Sequence, residues 1–132
     1  MIGKLNHVGV ATPSIDDAVR MYRDVLGATS ITEKWAMEEQ GVWVCFVNLP
    51  NSQIELIEPL GEQSTLTTFM EKNPLGGQHH ACYEVPDITA AREWFEGKGK
   101  RILGPTRIGA HGTPIFFLHP KDMMGQLTEI ME

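Results

Sequence analysis

The sequence predicts an α+β chain built from two tandem βαβββ modules. Side by side, their strands form one curved eight-stranded sheet with the helices outside and a cleft inside. Three observations carry this. The chain repeats itself: Asn6–Pro13 lies over His79–Pro86, with His7 on His80 and Pro13 on Pro86 at one offset of 73 residues. Each copy then runs through the same order of hydrophobic periods, first two-residue, then helical, then two-residue again. Finally, a four-stranded module buries little apolar surface alone, and 132 residues suit one domain in which two modules share a core.

The elements follow in order. Lys4–Thr12 is a Val-rich strand. Ser14 caps a helix, with Asp17 three residues on in the manner of a capping box. Ile15, Ala18, Met21, Tyr22 and Val25 keep helical spacing, and Gly27 ends the run. Thr29–Met37, Val42–Leu49 and Gln53–Ile57 read as strands parted by turn residues. Module 1 thus covers about residues 1–61. A connecting segment, about 62–75, holds a short helix over Thr65–Lys72 capped by Ser64. Module 2, about 76–132, repeats the pattern. It has a strand from Gln78, a helix capped by Asp87, and strands near Arg101–Leu103, Ile115–His119 and Gln126–Met131.

Composition excludes several classes. With 11 basic and 17 acidic residues the net charge is −6, and no Lys/Arg run exists to hold nucleic acid or an anionic membrane. No stretch approaches the roughly 20 apolar residues of a membrane span. The N-terminal residues lack a signal-peptide core, which sets the expectation of a cytoplasmic location. Cys45 and Cys82 each sit in an apolar run, outside any Cys-x-x-Cys pair, and are expected to be reduced and buried.

The repeat also places chemistry. Strand alternation puts Leu5, His7, Gly9 and Ala11 on one face, and Val8 and Val10 on the other. The Val face suits the helix, which leaves His7 to the cleft. The same parity turns His80 inward and His79 away. Glu55 and Glu129 sit mid-strand among apolar residues at equivalent places, where an ionised carboxylate is costly unless paired or bound to metal. Singly, each residue reads as a hydrogen-bonded core histidine or a solvated glutamate. Jointly, two His and two Glu recurring at matching positions suit a divalent ion such as Zn²⁺, Co²⁺, Fe²⁺ or Mn²⁺. The cleft is therefore expected to bind metal.

The motifs Leu5–Ala11, Glu55–Gly61, Gly76–His80, Ile108–Gly112 and Phe117–Asp122 extend over the chain. In them the sequence resembles the vicinal-oxygen-chelate superfamily (glyoxalase I, extradiol dioxygenases, bleomycin-resistance proteins), and within it the methylmalonyl-CoA epimerase branch. The resemblance implies a homodimer and an acyl-CoA substrate. It implies a divalent metal, often Co²⁺, with Zn²⁺, Mn²⁺, Ni²⁺ or Fe²⁺ as alternatives, held by His7, Glu55, His80 and Glu129. Some relatives carry Gln at the place of Glu55. Some also carry a catalytic Glu where Val44 stands, and valine cannot move a proton. Glu55 and Glu129 come from equivalent strands, and the resemblance to glyoxalase I chemistry implies them as ligands that also remove and return the proton alpha to the thioester.

Further residues have two readings each. Gln40 can hydrogen-bond substrate or simply serve its turn. His111, in a Gly-flanked loop, can line the cleft or order the loop. Lys121 can meet a CoA phosphate or the substrate carboxylate, or stay solvated. The rival functions are a glyoxalase I-type lactoylglutathione lyase, an Fe²⁺ dioxygenase, and a non-catalytic ligand-sequestering protein. Glu55 argues against the dioxygenase by occupying a position oxygen would need.

Overall fold

The computed structural model describes residues 1–132. Its strands are β1 (Leu5–Ala11), β2 (Trp35–Met37), β3 (Val42–Asn48), β4 (Gln53–Pro59), β5 (Gly77–Glu84), β6 (Ile102–Ile108), β7 (Pro114–Leu118) and β8 (Thr128–Met131). The helices are α1 (Ile15–Arg20), α2 (Thr67–Lys72) and α3 (Ile88–Gly97). Hydrogen bonding orders the strands β2-β3-β4-β1-β5-β8-β7-β6. The first four belong to the first repeat and the last four to the second. β1 answers to β5, β2 to β6, β3 to β7 and β4 to β8, as a duplicated βαβββ unit requires.

The chain falls into two compact units. One spans Val8–His79. Its core gathers Ile15, Cys45, Val47 and Leu56, with Val10, Ala18, Val19 and Tyr22 packed against them. The Val10 face of β1 thus meets α1, as the alternation predicts. The other unit comprises Met1–His7 and His80–Glu132. There Val85, Ile88, Ala91, Phe116, Leu118 and Ile130 pack under α3. Both cysteines are buried and neither is in a disulfide.

Both long helices begin with a side-chain cap. Ser14 Oγ accepts from the Asp17 N–H at 3.1 Å, and Asp87 Oδ1 from the Ala90 N–H at 2.9 Å. Gly27, with φ +72°, follows the π-helical turn Met21–Val25 that extends α1.

Two expected elements differ. Thr29–Met37 is not one strand. Ile31 forms an isolated bridge to Val47, and only Trp35–Met37 pairs regularly with β3. The cause is local: Thr32 Oγ1 accepts from the Phe46 N–H at 2.9 Å, so a hydroxyl replaces a ladder carbonyl. The connecting helix starts at Thr67, not Thr65. Ser64 Oγ instead accepts from the Leu66 N–H at 3.1 Å and closes a turn ahead of the helix.

Candidate metal centre

The unit holding Met1–His7 and His80–Glu132 brings three of the four expected ligands together. β1 ends its N-terminal half at His7, β5 carries His80, and β8 carries Glu129. Exposure is 0% at His7, 7% at His80 and 4% at Glu129. His7 Nε2 lies 3.2 Å from His80 Nε2 and 3.2 Å from Glu129 Oε2, while His80 Nε2 lies 3.0 Å from the same oxygen. Donors about 2.0–2.2 Å from one cation stand about 3–3.5 Å apart. Two imidazole nitrogens face each other here across 3.2 Å, an arrangement that needs a proton or a cation between the lone pairs. The donor set therefore fits a divalent ion of nitrogen–oxygen preference.

The electrostatics agree. Burial alone would raise the Glu129 carboxyl, but hydrogen bonds from His7 and His80 outweigh it and hold the group well below the usual carboxylate range. The carboxylate is thus charged when the site forms, as a ligand must be.

Neighbouring groups orient the donors. His7 Nδ1 sits 2.8 Å from Asn6 Oδ1, and Asn6 Nδ2 donates to Glu84 Oε2 at 3.2 Å. An acceptor at Nδ1 keeps a proton there, so a cation that replaced the Nε2 proton would find that lone pair aimed at the cluster. His80 meets the Phe117 ring edge-on, with centroids 5.5 Å apart. His111 stacks on His7 at 5.0 Å and an interplanar angle of 20°. Burial depresses the His111 pKa, and the adjacent His7 adds to the effect against the pull of Glu129 and Glu84. His111 therefore flanks His7, with the neutral form of its ring favoured.

Glu55 is buried at 7% exposure mid-β4, opposite Phe46 of β3, in the Val8–His79 unit. Val44 shares that face by alternation. Gln40 ends a 3₁₀ turn, and its carbonyl accepts from Thr65 Oγ1 at 3.1 Å. Lys121 is exposed in the 3₁₀ turn Pro120–Asp122, where its N–H donates to His119 Nδ1 at 3.1 Å. His79 packs edge-on against Phe69, away from the ligands.

Sequence reasoning passed over three neighbours of the site. Asn6 precedes His7 directly, yet its orienting role shows only in the folded contacts. Phe117 belongs to the repeat and to a family motif, but its edge-on contact with His80 shows only in the folded chain. Cys82, directly opposite Glu129 in the parallel β5–β8 pair, places its sulfur in a group with His7 and Glu129 whose donor atoms all lie within 4.8 Å. The parity that turned His80 inward holds for Cys82 as well, and that signal was available.

No helix is long and apolar enough to cross a membrane. A family model described as the Glyoxalase/Bleomycin resistance protein/Dioxygenase superfamily matches residues 6–117. The chain is 51% identical over 132 residues to an ethylmalonyl-CoA/methylmalonyl-CoA epimerase of Cereibacter sphaeroides, covering 98% of each protein. It is 45% identical over 130 residues to the mitochondrial methylmalonyl-CoA epimerase of Homo sapiens, covering 98% of this chain and 73% of that one. A solved methylmalonyl-CoA epimerase in complex with methylmalonyl-CoA and NH4+ superposes with a TM-score of 0.91 at 32% identity, covering 99% and 94% of the two chains. The epimerase structure from Mycobacterium tuberculosis gives 0.90 at 31% identity, covering 99% and 88%. The family match, the shared fold and this level of identity over nearly the full length converge on one assignment: the chain belongs to the methylmalonyl-CoA epimerase family of the glyoxalase/bleomycin resistance protein/dioxygenase superfamily.

Proposed function

We propose that this chain interconverts (R)- and (S)-methylmalonyl-CoA by removing the proton alpha to the thioester and returning it to the opposite face. The observation that carries the reading is the buried convergence of His7 Nε2, His80 Nε2 and Glu129 Oε2 within 3.2 Å of one another. Full-length similarity to named epimerases supports the substrate class.

His7, His80 and Glu129 would hold a divalent cation, with Glu55 as fourth ligand. Glu55 is assigned from its equivalence to Glu129 in the repeat and from its burial mid-strand. When bound, such a cation supplies positive charge to the thioester and carboxylate oxygens as the alpha carbon loses its proton. Cobalt is the proposed ion, on the family resemblance.

The chain's own groups do the rest. Glu55 and Glu129 come from equivalent strands, and we assign them the two proton transfers. A bound cation would lower the basicity of both carboxylates, so at least one would have to loosen from it to act. The neutral His111 ring covers one side of His7 and restricts water there. Gln40, His111 and Lys121 are the proposed substrate contacts. We take the working form to be a cytoplasmic homodimer.

The decisive experiment follows alpha-proton exchange of methylmalonyl-CoA in D₂O by NMR. The metal-loaded wild type is expected to exchange the proton and interconvert the epimers. Glu129→Gln should lose at least two orders of magnitude in exchange, the usual size of a lost acid–base group. Exchange at the wild-type rate in Glu129→Gln would remove Glu129 from the base role, and no exchange by the metal-loaded wild type would refute the function.

A further inference from the structure

The β6–β7 hairpin carries two groups that the site as described leaves without a task. The first is Arg107. Four of the five arginines are paired: Arg20 with Asp17, Arg23 with Asp24, Arg92 with Glu96 and Arg101 with Asp122. Arg107 is exposed and has no carboxylate. Its guanidinium instead lies over the Phe117 ring, 5.9 Å from the centroid. Phe117 is the ring that abuts His80 and stands opposite Glu129 across β7–β8. The one unpaired arginine is therefore separated from the metal ligands by a single aromatic ring.

The second group is Thr113. Its Oγ1 is buried and has no hydrogen-bond partner. A buried hydroxyl left unpaired is costly, and a ligand atom is one way of satisfying it. Arg107 pairs with Ile115, and the Gly109 N–H donates to the Thr113 carbonyl at 3.0 Å, so the hairpin pairing continues to Thr113 just before β7 and alternation puts Arg107, Thr113, Ile115 and Phe117 on one face. Thr113 is the diagonal neighbour of Arg107 on that face, a relation that spans about 7–8 Å. The hairpin end is tightly packed: a Cβ on Gly109 would come within 3.0 Å of the Ile115 side chain. Arg92 braces the outer strand through Gly104 O at 2.9 Å and Thr106 Oγ1 at 3.2 Å.

We propose that Arg107 and the Thr113 hydroxyl form an oxyanion subsite that holds a negatively charged group of the acyl-CoA substrate. A guanidinium with free donors and a hydroxyl with a free proton together match the oxygens of a phosphate or a carboxylate. Acyl-CoA offers both, the nucleotide phosphates and the malonyl carboxylate. The proposal rests on the acyl-CoA reading above and adds the recognition of charge. Arg107 and Thr113 are positioning residues and exchange no proton.

The test compares steady-state kinetics of the metal-loaded wild type, Arg107→Gln, Arg107→Lys and Thr113→Val on methylmalonyl-CoA and on methylmalonyl-pantetheine, which lacks the nucleotide phosphates. For Arg107→Gln the expected result is a rise in KM of about tenfold with kcat held within about twofold, the pattern of lost uniform binding. Arg107→Lys should recover part of the loss, and Thr113→Val should show a smaller rise. A defect confined to the CoA ester identifies a phosphate. A defect on both esters identifies the carboxylate. An unchanged KM on both esters for Arg107→Gln overturns the proposal. If Arg107→Gln fails to fold, Arg107→Lys and Thr113→Val decide by the same split. If the wild type has no epimerase activity, the function above fails. Calorimetric binding of free coenzyme A and of methylmalonate to wild type and Arg107→Gln still tests the subsite, and equal affinities for both ligands would sink it.

Discussion

His7, a proposed ligand, depends on a neighbouring residue for its orientation. Asn6 Oδ1 fixes the proton on His7 Nδ1, and Glu84 fixes the amide of Asn6 from 78 residues away. Removing such an orienting partner typically weakens metal binding by about 10–100-fold. Asn6→Ala is expected to do so with the fold intact, as read by titration of the apoprotein with Co²⁺ against a competing chelator. Glu129 gives a pH signature. Its carboxyl is held below the ordinary value, so its charge stabilises the fold above the ordinary carboxylate range. That contribution is lost as the pH falls through the depressed value. In chelator, wild type should therefore exceed Glu129→Gln in stability by more at pH 7 than at pH 3, measured by urea denaturation. The buried convergence of His7, His80 and Glu129 is legible in the sequence because strand parity and the repeat both single them out. The Asn6–Glu84 link is not, because nothing in local sequence tells an asparagine which carboxylate it will meet.

The helices show the duplication in their caps as well as in their spacing. Ser14 and Asp87 each satisfy an N–H three residues on, the kind of local partnership that sequence spacing reveals. A second cap repeats at equivalent places but joins distant segments. Glu58 Oε1, at the end of β4, accepts from the Ile15 N–H at 2.7 Å. Glu132 Oε2, just past β8, accepts from the Ile88 N–H at 2.9 Å. Each carboxylate also sits at the positive end of a helix dipole. These ties lock helix to sheet once per repeat, and no sequence window contains both partners. Replacing Ser14 with Ala should cost about 1 kcal/mol. Replacing Glu58 with Ala should cost about 1.5–3 kcal/mol, because its bond is charge-assisted. Urea midpoints at neutral pH check both values, and a Glu58→Ala cost no larger than that of Ser14→Ala would mean the distant tie is weak. The segment around Ile31 eluded the sequence for a related reason. Its β-propensity is real, but the Thr32 hydroxyl competes for the Phe46 N–H and breaks the ladder.

Across the whole chain, the proposed ligands tie together segments that are far apart in sequence. His7 and Glu129 are 122 residues apart, and His80 stands 73 from His7. The three donors meet only in the folded chain, so a metal that binds them binds the native state over the unfolded one. At a free ion concentration a hundred times the dissociation constant, such binding adds about 2.7 kcal/mol. For a chain of this length, between the reference domain sizes, that is on the order of 10 °C in Tm. Chelation should lower the Tm by that order, and Co²⁺ added back should restore it. Metal loading releases protons from its ligands, so the restored shift should shrink in acid. His80→Ala should abolish the shift at every pH tested by scanning calorimetry while leaving the chelated protein folded. A His80→Ala variant that still gained stability from Co²⁺ would show that the ion binds somewhere other than the His7–His80–Glu129 cluster.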